Sequence, residues 1–368
     1  MGKLKVLLVV PRLNIGGAET YVTTTALGLA RRGVEVVVAS WGGRLVESLA
    51  GAGIPHYLVP VRLNSCLASF MLGYIIRKHG IQIIHANSAA AGFAALKAGK
   101  RAGLPVVYTA HGVFGHQPKE RVLADADKII CVSKFLYQRS LNTGVPADKL
   151  ITIYNGIDLT KFAHQPDKTV MLRRELGFGE KDFVVGMVSR IKNLKTKGHG
   201  DVLAMLAKFR QQQAGKWRLL VVGKGNGLRQ FKAEAGKLGI DNQICIAGYS
   251  TEVPQLMQTM DVLLLPSDFE TFGLVLVEAM AMGKPVIAYA VGGTPEAVQD
   301  KATGFLIPKG DIDAMYEKIN LLYEQPEAAA AMGDKGVSRA KEMFNSEHMI
   351  DQLLDVYHGV LATRQADG

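Results

Sequence analysis

The stretch PSDFETFGLVLVEAMAMGKPVIA, residues 266–288, carries two carboxylates whose spacing suggests chemistry. Glu270 and Glu278 stand eight residues apart, behind the apolar run VLLLP and around a Phe-Gly step. The simplest reading is a strand feeding a helix: VLLLP as strand, Ser267 or Asp268 as cap, Phe272 to Met282 as helix. A helix start offers unpaired N–H groups and a positive dipole end, so the backbone of Thr271, Phe272, Gly273 and Leu274 would cradle an anion. Eight residues of helix rise about 12 Å. That is too far for two carboxylates to share a proton or to flank one bond at the roughly 5 Å of a retaining hydrolase pair. They could instead hold the two ends of an elongated ligand with an anionic middle, and a nucleotide sugar (sugar, diphosphate, ribose) has that shape. Two ordinary helix-start carboxylates favoured by the dipole are the other reading, and spacing alone leaves both open.

Four further stretches bear on the same chemistry. SRIKNLKTKGHG follows the strand-like FVVGMVS and supplies Arg190, Lys192, Lys195 and Lys197. An arginine with a lysine can neutralise a departing diphosphate without metal; a solvated basic loop is the alternative. NIGGAETY sets Gly16 and Gly17 ahead of a helix, where backbone can approach a ligand or merely turn. VVGKGNG (Gly223, Gly225, Gly227) approaches a dinucleotide fingerprint, but no acid ends the next strand, since Asp241 precedes it. It therefore reads as a nucleotide-side loop and not as an NAD site. YTAHGVFG puts His111 just past a strand, able to bond a sugar hydroxyl or move a proton, or to serve structurally; His85 in IIHANS has a weaker claim to the same role. The D-x-D pairs Asp125/Asp127 and Asp311/Asp313 lack the strand-end setting of a metal site and read as structural. No metal and no cofactor is expected.

The elements that must position these residues are legible as short apolar runs alternating with helical stretches. KVLLVV, VEVVVAS, IIHANS, VVYTAHG and KIICVS fill the first half; FVVGMVS, WRLLVVG, QICIAGY, VLLLPS and PVIAYA fill the second. Strands so uniformly apolar are covered on both faces, which means α/β architecture with parallel, doubly wound sheets. A length of 368 residues suits two such domains, expected at 1–165 and 166–349 and enclosing a cleft. Residues from about 350 read as an amphipathic terminal helix.

Hydrophobic content of 48% and a mean hydropathy of +0.13 argue for filled cores and against disorder. Cys66, Cys131 and Cys245 form neither a disulfide framework nor a zinc pattern, and read as small buried residues in a reducing compartment. The opening apolar run is too short for a signal peptide and none reaches the roughly 20 residues of a membrane span, so a soluble, cytoplasmic chain is expected. The net charge is +10, and residues 1–161 hold 19 Lys+Arg against 8 Asp+Glu. That half is expected to meet an anionic partner, a membrane surface or an acidic substrate; no nucleic-acid module is legible. VRLNSCLASFMLGYIIRK, residues 61–78, reads foremost as a buried core helix, with a membrane-facing helix as the alternative.

Taken in order, the GGAE loop, TAHG, YNGID, SR…KG, VVGKGNG and FETFGLVLVEAMAMGKPVIA…GGTPE resemble the retaining glycosyltransferases of family 4, the group 1 transferases, over nearly the whole chain. The resemblance implies the GT-B fold, two Rossmann-like domains with the last helix crossing back onto the first. It implies Glu270 on the donor sugar's hydroxyls, Glu278 on the ribose, residues 271–274 on the diphosphate, and Arg190 with a lysine on the leaving phosphates. In the family that lysine precedes glycine, which favours Lys197 before Gly198, with Lys195 as the other candidate. Gly16 and Gly17 would approach the donor, Gly223 and Gly225 would lie on the nucleotide side, and His111 would sit against the transferred sugar. The implied activity is metal-independent, retaining transfer from a UDP- or GDP-sugar to an acceptor glycan or glycolipid, such as a lipid-linked or cell-envelope polysaccharide precursor, at the membrane's inner face. A sugar-nucleotide epimerase of the same fold and a non-catalytic nucleotide-sugar-binding module are the alternatives.

Overall fold

The computed structural model describes residues 3–14, 16–113, 118–163, 166–213 and 217–366. Ile15 of the GGAE stretch, Phe114 and Gly115 of YTAHGVFG, the expected boundary at 165, and the last two residues lie outside them. The chain divides into two compact units, Met1–Asp158 with Phe344–Gly368, and Leu159–Met343. Residues 159–163 pack with the second unit, where Ala163 accepts a hydrogen bond from Gln258 Nε2 at 2.8 Å. Phe344 and Ser346 are bonded back to Ile157.

The first unit holds one parallel sheet of β1 Lys5–Val9, β2 Glu35–Ser40, β3 His56–Leu58, β4 Ile83–Asn87, β5 Val106–Ala110, β6 Lys128–Cys131 and β7 Leu150–Thr152. Its order is β3-β2-β1-β4-β5-β6-β7. The second unit holds β8 Phe183–Val188, β9 Trp217–Val222, β10 Ile244–Gly248, β11 Val262–Leu265, β12 Val286–Tyr289 and β13 Gly304–Ile307. These run in the order β10-β9-β8-β11-β12-β13. Both sheets are wound outward from a switch point, β1/β4 in the first and β8/β11 in the second, and such sheets bind ligands beyond the strand carboxyl ends at that point. The sequence reading misses β3, β7 and β13. All three are edge strands of only 3 or 4 residues, too short for a periodic signal.

The terminal helix Ser346–Ala366 belongs to the first unit. Met349, Ile350, Leu353, Val356, Tyr357 and Val360 join Val6, Leu8, Val22 and Leu29 in one core. At its margin Arg31 pairs with Glu347 at 2.9 Å and Arg32 with Asp351 at 2.8 Å. Exposed pairs of this kind contribute at most about 1 kcal/mol each, so burial holds the helix. The four acids of the terminal segment, three of them on this helix, also change the charge picture: the first unit counts 19 Lys+Arg against 12 Asp+Glu, the second 24 against 21.

The helix Ser65–His79 corrects the buried-core expectation. Ala68, Leu72, Ile75 and Ile76 are buried, but Leu67, Phe70 and Tyr74 are more than half exposed, as is the preceding Leu63. Cys66 on this helix is exposed too, against the expectation of three buried cysteines. No helix among the described residues is long and apolar enough to cross a membrane.

Leu353→Ala is expected to destabilise the first unit by about 2–5 kcal/mol, read as a lowered urea midpoint. An unchanged midpoint would mean that the terminal helix is not part of that core.

Candidate active site

In the second unit the two adjacent switch-point strands deliver the candidate residues. β11 pairs with β8 through Val262↔Val185 and Leu263↔Gly186, so the loop carrying Glu270 and the loop carrying Arg190, Lys195 and Lys197 leave the same sheet end. Glu270 Oε1 accepts hydrogen bonds from Ser267 Oγ at 2.8 Å and from Lys197 Nζ. The pair is well sheltered, with side-chain exposures of 12% for Glu270 and 29% for Lys197. Glu270 Oε2 has no hydrogen bond among the described residues, which leaves an acceptor for a donor hydroxyl.

Lys197 rather than Lys195 turns inward because of its neighbours. Asn193 Oδ1 accepts from the amides of Lys195 at 3.0 Å and Thr196 at 2.7 Å and from Thr196 Oγ1 at 2.8 Å, tightening the loop so that Lys195 stays exposed. Gly198 then adopts φ +69, and a Cβ there would stand 1.9 Å from the carbonyl oxygen of Pro266. Only glycine allows this backbone contact, which brings the lysine alongside the Glu270 loop. Arg190 is exposed at the end of β8 and forms no ion pair among the described residues. It shares this with Lys192 and Lys195 on the same loop, which are exposed and form no ion pair among the described residues either.

The helix is Leu274–Ala281, shorter than the Phe272–Met282 expected, so Glu270 lies in the loop ahead of it. The anticipated caps are engaged elsewhere: Ser267 bonds Glu270 and Asp268 pairs with Lys309. The N-cap is Gly273 in the left-handed region, φ 88, with no side-chain cap. The first N–H groups of the helix are therefore not taken by a side chain, and Thr271, Phe272, Gly273 and Leu274 lead directly into them. Glu278, inside the helix, keeps partial solvent contact. Protein nonetheless surrounds most of it, and desolvation pushes its carboxyl up to about 7. No hydrogen bond or ion pair to Glu278 occurs among the described residues. A raised carboxyl without a partner is a feature of a site more than of a scaffold.

The glycines of VVGKGNG have a packing explanation of their own. A Cβ on Gly223 would lie 2.0 Å from the Ser189 carbonyl oxygen, and one on Gly225 2.2 Å from that of Ile191. They let the loop after β9 lie backbone to backbone on the loop that carries Arg190, fastened by Gly227 N to Ile191 O at 2.9 Å. His199, fully buried, adds a contact from its Nε2 to Ser189 Oγ at 3.2 Å. The sequence reading takes Ser267 for a cap and misses Asn193 and His199, because each acts through a tertiary or turn contact with no motif of its own.

In the first unit Gly17 opens the helix Gly17–Arg31 behind Gly16, and a Cβ on Gly17 would meet nothing within 4 Å. Its own unit gives no packing reason for glycine there. His111 follows β5 and reaches Asn87 Oδ1 through Nε2 at 3.1 Å, with Tyr21 edge-on at 4.7 Å between ring centroids. Burial lowers it to about 3, so the ring is neutral. His85 is fully buried between two hydroxyls and held within the core. Three of the four D-x-D acids serve the fold: Asp127 accepts from Val106 N, Asp311 caps the helix Ile312–Glu324, and Asp313 pairs with Lys208. No group of three or more His, Cys, Asp or Glu suited to a metal occurs among the described residues.

Because Glu278 holds its proton to about 7 in the native state and to about 4.3 when unfolded, the native state binds more protons between those values, and this contribution to stability falls as pH rises through that window. Glu278→Gln should therefore be more stable than the parent chain at pH 8, on the order of 1–3 kcal/mol, with the gap closing towards pH 4.5. Melting temperatures at the two pH values check this, and a gap independent of pH would place the carboxyl in the ordinary range.

Comparison with known proteins bears on the activity. Residues 171–339 match the family described as Glycosyl transferases group 1, and residues 15–161 that described as Glycosyltransferase Family 4. The D-inositol 3-phosphate glycosyltransferase of Saccharomonospora viridis is 30% identical over 95% of this chain and 90% of its own. The N-acetyl-alpha-D-glucosaminyl L-malate synthase of Bacillus anthracis is 29% identical over 95% of both. The crystal structure of Anabaena HepE with UDP and glucose superposes with a TM-score of 0.86 at 25% identity, covering 96% of this chain and 99% of that one. The two Rossmann-like units thus match the GT-B glycosyltransferase structures, and the epimerase and binding-module alternatives find no support among these relatives. The chain belongs to the family 4 glycosyltransferases, the group 1 glycosyl transferases, and is a retaining hexosyltransferase that takes its sugar from a nucleotide-linked donor.

Proposed function

We propose that the chain moves a hexose from a UDP-sugar to an anionic, hydroxyl-bearing acceptor, with the leaving diphosphate stabilised by side chains and backbone rather than by metal. The observation that carries this reading is the Lys197–Glu270 pair beside an uncapped helix start. A carboxylate with a spare oxygen, a cation and a helix start that no side chain caps together match a sugar followed by a diphosphate. Glu270 takes the donor's hydroxyls, Glu278 the ribose, and residues 271–274 the phosphates. Arg190 and Lys197 stabilise the charge that develops as the anomeric C–O bond to the diphosphate breaks. The acceptor oxygen attacks the same face of the resulting oxocarbenium-like centre and gives its proton to the departing phosphate oxygen. Gly16 and Gly17 approach the donor, and His111 takes a hydroxyl of the transferred sugar. UDP is preferred over GDP because HepE was crystallised with UDP and glucose.

The acceptor reading rests on charge and on relatives whose names carry a phosphorylated cyclitol and a hydroxy acid. No Asp or Glu occurs between Glu47 and Glu120, while Arg62, Arg77, Lys78, Lys97, Lys100 and Arg101 fall in that interval. Beside these cations stand the exposed Leu63, Leu67, Phe70 and Tyr74, with Arg101 over the Phe70 ring at 4.1 Å. An apolar stripe flanked by cations suits an anionic lipid surface, so we include peripheral membrane contact and a lipid-linked acceptor in the proposal.

A thermal-shift series with UDP, GDP and ADP and their common sugars, in EDTA, tests the donor. A ligand at about 100 times its Kd adds roughly 2.7 kcal/mol. UDP species are expected to stabilise the chain without metal, and Glu270→Ala to keep that shift while losing about 100-fold or more in turnover. A shift seen only once magnesium is restored, or only with GDP or ADP, would overturn the donor reading. Vesicle sedimentation tests the surface: phosphatidylglycerol vesicles should retain the parent chain and release a Leu67→Asp/Phe70→Asp variant. Equal binding to phosphatidylcholine would remove the electrostatic argument.

A further inference from the structure

His111 does not stand alone behind β5; it is the outer member of a buried polar network that begins on the terminal helix. Tyr357 is fully buried, and its hydroxyl lies 2.6 Å from His85 Nδ1. His85 Nε2 lies 2.6 Å from Thr109 Oγ1, and Thr109 Oγ1 lies 3.4 Å from the Tyr21 hydroxyl. Two branches then reach His111. The Tyr21 ring meets it edge-on at 4.7 Å and an interplanar angle of 71°. Asn87, whose Nδ2 is 3.4 Å from the His85 carbonyl oxygen, presents Oδ1 to His111 Nε2 at 3.1 Å.

The proton positions follow from the partners. Burial holds both histidines near 3, hence neutral at pH 7. Asn87 uses its Nδ2 on the His85 carbonyl, so its Oδ1 faces His111 and must accept; His111 Nε2 therefore carries the proton. Among the described hydrogen bonds, Tyr357 has His85 Nδ1 as its acceptor, so His85 Nε2 carries the proton and donates to Thr109. Hydroxyls buried this deeply are costly to leave unmatched, which makes the arrangement specific rather than adaptable.

We propose that Tyr357, His85 and Thr109 are positioning residues that, through Tyr21 and Asn87, hold the His111 ring in one orientation and one tautomer for the transferred sugar. The role rests on the reading of His111 as a sugar contact. It gives the terminal helix a part in the transfer beyond packing, since the network's inner end is a hydroxyl about 11 residues into that helix.

The test uses two variants that keep side-chain volume, Tyr357→Phe and Thr109→Val, each made alone and combined with His111→Gln in the full-length chain. Both are expected to lower kcat about 10-fold with donor KM within about twofold, and to add no further loss in the His111→Gln background. Ring 15N spectra of histidine-labelled protein should show His111 as a single Nε2–H tautomer in the parent chain and as a tautomer mixture in the variants. Losses that add to those of His111→Gln, or an unchanged His111 spectrum, would overturn the positioning role while leaving His111 itself in place. Full activity in His111→Gln alone would overturn the reading of His111 and the positioning role with it; the unliganded spectra would still report whether the network orders the ring.

Discussion

The pairing of β8 with β11 is the constraint on which the geometry of the candidate site depends. Two parallel neighbours in a sheet release their following loops at the same end, and at a switch point those loops turn to opposite faces. One loop brings cations and the other a carboxylate and a helix start. The pairing sets Lys197 within reach of Glu270, although the two lie 73 positions apart in the chain. The details that refine this placement are backbone contacts: Gly198 against Pro266, and Gly223 and Gly225 against Ser189 and Ile191. Each substitutes van der Waals contact for a side chain, so loops with no regular structure keep fixed positions.

Much of this was legible in residues alone, for identifiable reasons. The ten strands read from the sequence, all but β10 interior to their sheets, are runs of mostly apolar residues, and such runs leave little choice but a parallel sheet with helices on either side. Glu270 and Glu278 stand out because a helix start after an apolar strand has a definite electrostatic meaning. The choice between Lys195 and Lys197 was not legible, since it depends on Asn193 gathering two amides and on a left-handed glycine meeting a carbonyl. His85 looked like a weaker version of His111, although the structure puts it in the core with both ring nitrogens engaged. Its partner Tyr357 lies 272 positions away, beyond any local pattern.

Charge shows the same lesson from the other side. The basic first half is real as a count, but the acids of the terminal helix join that unit and reduce its excess. What remains distinctive is local: a long interval without a single carboxylate, coinciding with a helix whose outer face is apolar. Screening acts over about 10 Å at ordinary salt, so the distribution of charge along the surface matters more than the sum.

The membership of Ser346–Ala366 in the first unit also orders events during synthesis. The second unit is one continuous segment, Leu159–Met343, and has all its strands once that segment is made. The first unit has its seven strands earlier but lacks Ile350, Leu353 and Tyr357 until the second unit has been made. Its sheet face and the hydroxyl-hungry ring of His85 must wait, uncovered, while some 185 residues of the other unit are added. The unit whose strands are made before the other's is thus the one completed after it, and for that interval it is the one that depends on being shielded from other chains.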